Sequence, residues 1–286
     1  VRHHARDEHL RPTRTPEHRR AMLTADERAA WQRDGFFIRR GFAREPTMRD
    51  MLARVVEICR RQSAGEDVAP AVVVPEARGN PNAGAPEDRI SKVFRLHRDP
   101  PFERFARDPA LLELVAELLG DDVDCFLSQF IFKTPGAYGQ PWHQDALYFP
   151  FEPDRQLGVW LAVSAATLDN GCLHVLPGSH TEPVHAHQRD QRPGSNYGYL
   201  EIVDHDMSGA IPVLMEPGDV LLFHSHLMHC STDNRTSAIR AAMVYHYSPA
   251  GTVDRAPRGP TYLNDWMPVR RGAQSASLDV APAEDA

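Results

Sequence analysis

Hydrophobic and polar positions along the chain follow two patterns, one helical and one extended. Between Pro46 and about Gln62, Met48, Met51, Leu52, Val55, Ile58 and Cys59 recur every three or four positions, which predicts an amphipathic helix. Ahead of it, Thr24-Ala-Asp-Glu27 has the form of a capping box and predicts a short helix through Trp31, ended by Gly35 and followed by a strand in "GFFIRRGF". Asp108 and Pro109 supply an N-cap and first-turn pair for "ALLELVAELL", and Gly120 is placed to stop that helix. Residues 64 to 88 collect Gly, Pro, Asn and Ala and read as a loop.

Beyond residue 121 the pattern changes to short apolar runs separated by turn residues. Strands are predicted at 123–133, 157–167, 172–176, 211–215, 219–224 and 238–247, with turns at Asp169-Asn170-Gly171 and Glu216-Pro217-Gly218-Asp219. Helices first and strands afterwards predict an α+β, mainly β chain built round an antiparallel barrel or jelly roll. The polar stretch from Pro177 to Ala210 is long for a simple connection and reads as a lid. The first 20 residues carry six arginines and four histidines with almost no large apolar side chains, so a disordered arm is expected there. Residues 21–270 then form one domain, and 271–286 a flexible tail. No internal repeat is visible.

Composition narrows the function classes. The chain has 286 residues, 42% hydrophobic and 25% charged, enough for a sizeable core. A formal net charge of −7 and a pI near 6.1 argue against a nucleic-acid partner, which would normally show a clustered basic excess. Four scattered cysteines, with no C-x-x-C pair, fit a reducing compartment. The charged N-terminus "VRHHARDEHL" lacks the apolar centre of a secretory signal, and no later run is long enough to span a bilayer, so no membrane association is expected. "RHHARDEHL" has the basic start and final His-Leu of an N-terminal peroxisomal address, but His3 stands where a branched aliphatic belongs. The C-terminal "APAEDA" is not a peroxisomal tripeptide. A cytoplasmic location is the expectation, and oligomeric state is not legible.

The chemistry is concentrated in two segments. In "QPWHQDALYFPF", His143 and Asp145 lie two apart, so an extended backbone points one imidazole and one carboxylate to the same face. Two histidines and one carboxylate on one face of a metal make the facial triad of non-haem Fe(II) oxygenases, with open positions left for oxygen chemistry. The third ligand would come from "FHSHLMHC", where His224, His226 and His229 all qualify and spacing does not choose among them. Arg240 interrupts "SAIRAAMVYHY", a run that otherwise reads as a buried strand, and a buried charge needs a partner. That partner is either an internal acid or the far carboxylate of a chelating 2-oxoacid, which an arginine fork can hold with two parallel bonds.

Taken together, "HQDALYFPF", "NGCLHVLPGSH" and "HCSTDNRTSAIR" resemble the phytanoyl-CoA dioxygenase family of Fe(II)- and 2-oxoglutarate-dependent oxygenases. The resemblance runs from about Leu23 to Tyr247 and is most specific between Gln140 and Arg240. It implies a double-stranded β-helix with helices packed on one side. The last metal-binding histidine of the family precedes the co-substrate arginine by eleven residues, which selects His229 (229 + 11 = 240) and sets His224 and His226 aside. The implied metal set is His143, Asp145 and His229. The implied co-substrate residues are Arg240, Ser231, Lys92, Gln129 and Trp160, with Gln129 a departure from an apolar residue in the phytanoyl-CoA enzyme. The carboxylate of Asp145 implies hydroxylation, desaturation or cyclisation, since related halogenases carry a small residue there.

The reaction so implied oxidises an unactivated C–H bond of a small organic metabolite (an acyl-CoA, an amino acid or a secondary metabolite), using O2 and converting 2-oxoglutarate to succinate and CO2. Two competing readings are a metal-only cupin-type enzyme without 2-oxoglutarate, and a non-catalytic sensor of metal and 2-oxoglutarate. His180, His185 and His187 read as a polar loop, and at least two of Trp142, Tyr148, Phe149 and Phe151 as barrel core.

Overall fold

The computed structural model describes residues 22–78, 84–196, 198–257 and 263–272. The expected N-terminal arm and all but two residues of the expected tail lie outside them. Those two residues are tied to the body: Arg271 donates to the Asp124 carboxylate, and the Gly272 amide donates to Asp122.

Helix α1 (Ala25–Asp34) begins at Thr24 with the reciprocal bonds of a capping box, and Gly35 closes it in the left-handed region at φ 83°. Strand β1 (Phe36–Arg39) follows, then α2 (Glu45–Ser63), whose buried face carries Met48, Met51, Val55, Ile58 and Cys59. The stretch expected to be a loop from 64 to 88 holds a strand, β2 (Val72–Pro75), paired antiparallel with β3 (Ile90–Phe94). Three consecutive valines favour an extended backbone even inside a segment whose composition reads as irregular. Helix α3 (Pro100–Ala106), which the apolar pattern did not isolate, precedes α4 (Pro109–Leu119), capped by the Asp108 carboxylate as expected.

The strands then run β4 (Val123–Lys133), β5 (Phe151–Glu152), β6 (Leu157–Ala162), β7 (Leu173–Val175), β8 (His187–Arg189) and β9 (Leu200–Ile202). They continue as β10 (Ile211–Val213), β11 (Val220–His224), β12 (His229–Ser231), β13 (Arg240–Pro249), β14 (Val253–Asp254) and β15 (Met267–Arg270). Strand β6 stops at Ala162, short of the expected 167, because the amides of Val163 and Ser164 both turn to the Ala241 carbonyl.

Two antiparallel sheets face each other as a jelly roll. The larger has the order β1-β11-β6-β13-β4-β3-β2, with β15 also on β4, and the smaller is β10-β7-β12. Alternation along β13 assigns its two faces. Ala241, Met243, Tyr245 and Tyr247 join the core formed with α2, α3 and α4, while Ala242 and Val244 pack inward with Trp160, Leu221 and Phe223. Arg240 and His246 share that inward face by the same alternation. The expected lid, 177–210, contains the β8–β9 hairpin and is not a structureless loop.

Tyr245 and Tyr247 anchor the helices to the sheet through hydroxyls donated to the carbonyls of Phe102 and Ala106, at 3.0 and 3.1 Å. Tyr245→Phe is expected to remove about 1 kcal/mol of stability by leaving a buried carbonyl without its donor. A chemical-denaturation midpoint checks this, and no change would mean that packing alone holds α3.

Candidate active site

Histidines 143 and 229 reach one another through backbone pairing. They form an antiparallel bridge in which each amide donates to the other's carbonyl, at 2.9 and 3.0 Å, so a segment with no regular strand is stitched to β12. Gln144 is extended, at φ −117° and ψ 130°, and a short 3-10 turn starts at Asp145. The expected same-face geometry of His143 and Asp145 therefore survives although the strand ends between them.

Nε2 of His143 lies 3.5 Å, and Nε2 of His229 3.8 Å, from Oδ1 of Asp145, and all three residues are buried. Each imidazole holds its other nitrogen against a carbonyl: Nδ1 of His143 against Pro141 and Nδ1 of His229 against Leu227, at 2.8 and 2.9 Å. Those bonds put the proton on Nδ1 and leave the Nε2 lone pairs pointing toward Asp145, the tautomer a metal requires. Burial, then the neighbouring His143, pushes His229 down to about 4, so it is neutral at physiological pH. Burial raises Asp145, but its three facing imidazoles, His143, His229 and His246, outweigh it, so the carboxyl lies below its ordinary range and is ionised. Two imidazole Nε2 atoms and an ionised carboxylate, converging on one point, fit a divalent metal ion.

His224 and His226 point elsewhere. His224 packs its ring on Trp31 and His180, and His226 bonds Asp154 at 2.7 Å through Nε2. In the expected polar loop, His185 and His205 both bond Oε2 of Glu182, at 2.9 and 3.1 Å, in a partly buried cluster.

Arg240 is 2% exposed and has no carboxylate partner among the described residues. Its Nη2 donates to the Gly171 carbonyl at 3.2 Å, Nε and Nη1 bond nothing, and the guanidinium lies 5.3 Å from the Trp160 ring centroid. Burial lowers it to about 10, still charged at neutral pH. Among the described residues the internal salt bridge that the sequence left open is thus absent, and a buried cation faces inward without an anion.

Ser231, on the same strand as His229, accepts from Lys133 Nζ at 2.8 Å and from the Gln140 amide at 3.0 Å. Lys92 Nζ donates to Gln140 Oε1 and lies 5.1 Å from the Tyr199 ring centroid, so it is not simply solvated. Gln129 Oε1 is buried without a partner and does not fit the alternative of a satisfied polar group. Trp142 packs with Leu176, Ile202 and Met228, while Phe149 and Phe151 form core with Phe126. Tyr148 turns its ring edge toward His143.

Four residues at the site escaped the sequence reading. Gln140 bonds His143 Nε2 at 2.9 Å, and Gln144 is fully buried. His246 places Nδ1 3.7 Å from the free oxygen of Asp145, and Lys133 stands opposite Arg240 in register. The signal for His246 was present: it lies six residues beyond Arg240 on a strand, hence on the same face.

A jelly roll with two histidines and a carboxylate converging at one end of its interior, and an unpaired guanidinium farther along, is the layout of a metal-dependent oxygenase. The chain matches the profile of the phytanoyl-CoA dioxygenase (PhyH) family over residues 31–242 and belongs to that family. It is accordingly a non-haem dioxygenase that uses Fe(II), 2-oxoglutarate and O2. It is 30% identical over 239 residues to a probable phytanoyl-CoA dioxygenase of Caenorhabditis elegans, covering 80% of this chain and 76% of that one. The peroxisomal phytanoyl-CoA dioxygenase of Bos taurus is 28% identical over 238 residues, covering 80% and 69%. EctD from S. alaskensis, solved with 2-oxoglutarate and 5-hydroxyectoine, superposes with a TM-score of 0.64 at 26% identity, covering 87% of this chain and 84% of that one. No helix among the described residues is long and apolar enough to cross a membrane.

Gln144 ties this site to the loop over it. Its amide donates to the carbonyls of Pro183 and His226, and its oxygen accepts from the His185 amide. Gln144→Ala is expected to lower stability by about 1–3 kcal/mol and weaken divalent-metal binding roughly 10-fold. Thermal melting and calorimetric titration with Mn(II) check both, and unchanged metal affinity would mean that the loop and the histidines are independent.

Proposed function

We propose that the chain hydroxylates an unactivated C–H bond of a small organic metabolite, with His143, Asp145 and His229 holding Fe(II), and Arg240 and Ser231 holding the far carboxylate of 2-oxoglutarate. What carries this reading is Arg240: a fully buried guanidinium with two unbonded nitrogens and no acid beside it. A metal-only enzyme would gain nothing from such a group, whereas a dicarboxylate co-substrate supplies its missing anion. Trp160 lends Arg240 an aromatic face, and Gln129 and Lys92 line the same inward face of the large sheet.

Bound there, the metal and co-substrate supply the oxidising power: 2-oxoglutarate and O2 become succinate and CO2, and the remaining oxygen atom enters the substrate as a hydroxyl. The protein's own part is positional. Carbonyls at Pro141 and Leu227 fix the two imidazoles, and His246 stands beside the carboxylate oxygen turned away from them. His143, Asp145 and His229 would hold the metal, and a three-ligand set of this kind would leave room for co-substrate and O2. Buried aromatic side chains, Phe126, Phe149 and Phe151, keep water from the His246 side. Substrate choice within small metabolites would rest on the segments that carry β2 and the β8–β9 hairpin.

Anaerobic titration of metal-free protein with Fe(II) and then 2-oxoglutarate tests the reading through the weak visible charge-transfer band of a chelated 2-oxoacid. The band is expected in the wild type, absent in His229→Ala, and shifted to roughly 30-fold or higher co-substrate concentration in Arg240→Ala. Bound Fe(II) with no band would favour the metal-only enzyme and remove Arg240 from the site.

A further inference from the structure

Lys133 is the last residue of β4 and the direct cross-strand partner of Arg240 on β13. Side chains so paired lie on one face of the sheet, about 5 Å apart at Cβ, and like charges placed there repel. Both are buried, Lys133 at 5% and Arg240 at 2% exposed. Neither has an acidic hydrogen-bond partner among the described residues. Lys133 Nζ donates to Ser231 Oγ at 2.8 Å and to the Thr232 carbonyl at 2.6 Å. The carboxylate of Asp233, the nearest acid in sequence, instead accepts from the Gly139 amide and lies 3.8 Å from Arg192.

Gly171 separates the two cations. Its carbonyl takes the one hydrogen bond that Arg240 makes, and a Cβ there would fall 2.5 Å from Lys133 Cδ and 3.2 Å from Nζ. The Asn-Gly turn singled out in the sequence therefore does more than reverse the chain. It admits the lysine side chain alongside the arginine, which any larger residue would displace.

The hydrogen bonds at Ser231 complete the argument. A hydroxyl has two acceptor lone pairs and one proton. Both lone pairs of Ser231 are taken, by Lys133 Nζ and by the Gln140 amide. Its proton is left to donate, and a carboxylate is the partner that a donor beside two cations selects.

We infer that Lys133 is a positioning residue for the co-substrate's far carboxylate: it fixes the Ser231 hydroxyl as a donor and stands beside Arg240 as a second group that carries positive charge once that carboxylate is bound. This rests on the co-substrate reading above. Burial and the neighbouring Arg240 both depress the lysine well below its ordinary range, and a carboxylate bound beside it would act in the opposite direction.

The test compares two 2-oxoacids by calorimetric titration of the anaerobic Fe(II) protein: 2-oxoglutarate, and 2-oxobutanoate, which has the same chelating head and no far carboxylate. Lys133→Met is expected to weaken 2-oxoglutarate binding roughly 10- to 100-fold and to leave 2-oxobutanoate binding unchanged. Lys133→Gln, which keeps a donor for Ser231 but no charge, should recover part of the loss. In a Ser231→Ala background the Lys133→Met penalty should shrink, because part of it runs through the hydroxyl. Equal weakening of both ligands would make Lys133 structural and overturn the inference. So would an unchanged 2-oxoglutarate affinity in both variants, provided that Arg240→Ala loses it. If Lys133→Met fails to fold, the Lys133→Gln comparison of the two ligands decides alone. Failure of the wild type to bind 2-oxoglutarate, or an Arg240→Ala variant that binds it normally, would instead remove the co-substrate reading itself.

Discussion

The reciprocal backbone hydrogen bonds between His143 and His229 join two parts of the chain that lie 86 positions apart (229 minus 143). Side chains of directly paired residues share a face and stand within about 5 Å of each other, so this single bridge sets the spacing of the imidazoles. Asp145 follows from it, because the extended Gln144 returns the chain to the same face before the 3-10 turn begins. Gln140 extends the stitch: its amide bonds Ser231 Oγ while its carbonyl receives the Ser231 amide. A one-residue slip in this pairing would turn His229 outward and bring Cys230 in. The small sheet guards against that slip, with Val175 opposite His229 and Leu173 opposite Ser231.

Charge is distributed with the same economy of position. The triad end of the interior holds one carboxylate, Asp145, among three imidazoles, His143, His229 and His246. The other end holds Arg240 and Lys133 with no acidic hydrogen-bond partner for either among the described residues. Buried cations of that kind cost stability, and a fold selected for stability alone would replace them with apolar side chains. Their retention inside a barrel whose remaining inward positions include Ala162, Ala242, Val244 and Leu221 is a local exception to the core rule. Such exceptions are where function is sought.

Much of this was legible in the sequence, for identifiable reasons. Helix α2 declared itself by period, α1 and α4 by their caps, and β4 by an unbroken run ending before Thr134-Pro135-Gly136. The convergence of His143 and Asp145 followed from period-two geometry, whereas preferring His229 over His224 and His226 required the family resemblance. Strand β2 was hidden by the prolines, glycines and alanines around its three valines, and β12 is too short to carry a period of its own. Lys133 and Gln144 were hidden for a deeper reason: each acts through partners distant in sequence, and only the register of β4 on β13 and the path of the 183–187 loop bring those partners within reach.

The site thus has one end fixed by the protein and one that is completed by a ligand. At the triad, carbonyls orient both imidazoles and the carboxylate is already ionised, so a divalent metal would find its donors in place and little reorganisation to do. At Arg240, two guanidinium nitrogens lack any acceptor among the described residues. On the proposed reading the same dicarboxylate serves both ends, chelating at one and neutralising the cations at the other. Whatever binds only the folded state stabilises it by mass action, in proportion to its concentration over its dissociation constant. On that reading the cost of burying Arg240 and Lys133 side by side becomes affinity in the complex, because the co-substrate's far carboxylate offsets it. On the same reading a monocarboxylic 2-oxoacid could occupy the metal end but would leave Arg240 without its anion, which would make Arg240 and Lys133 the element that selects for a second carboxylate.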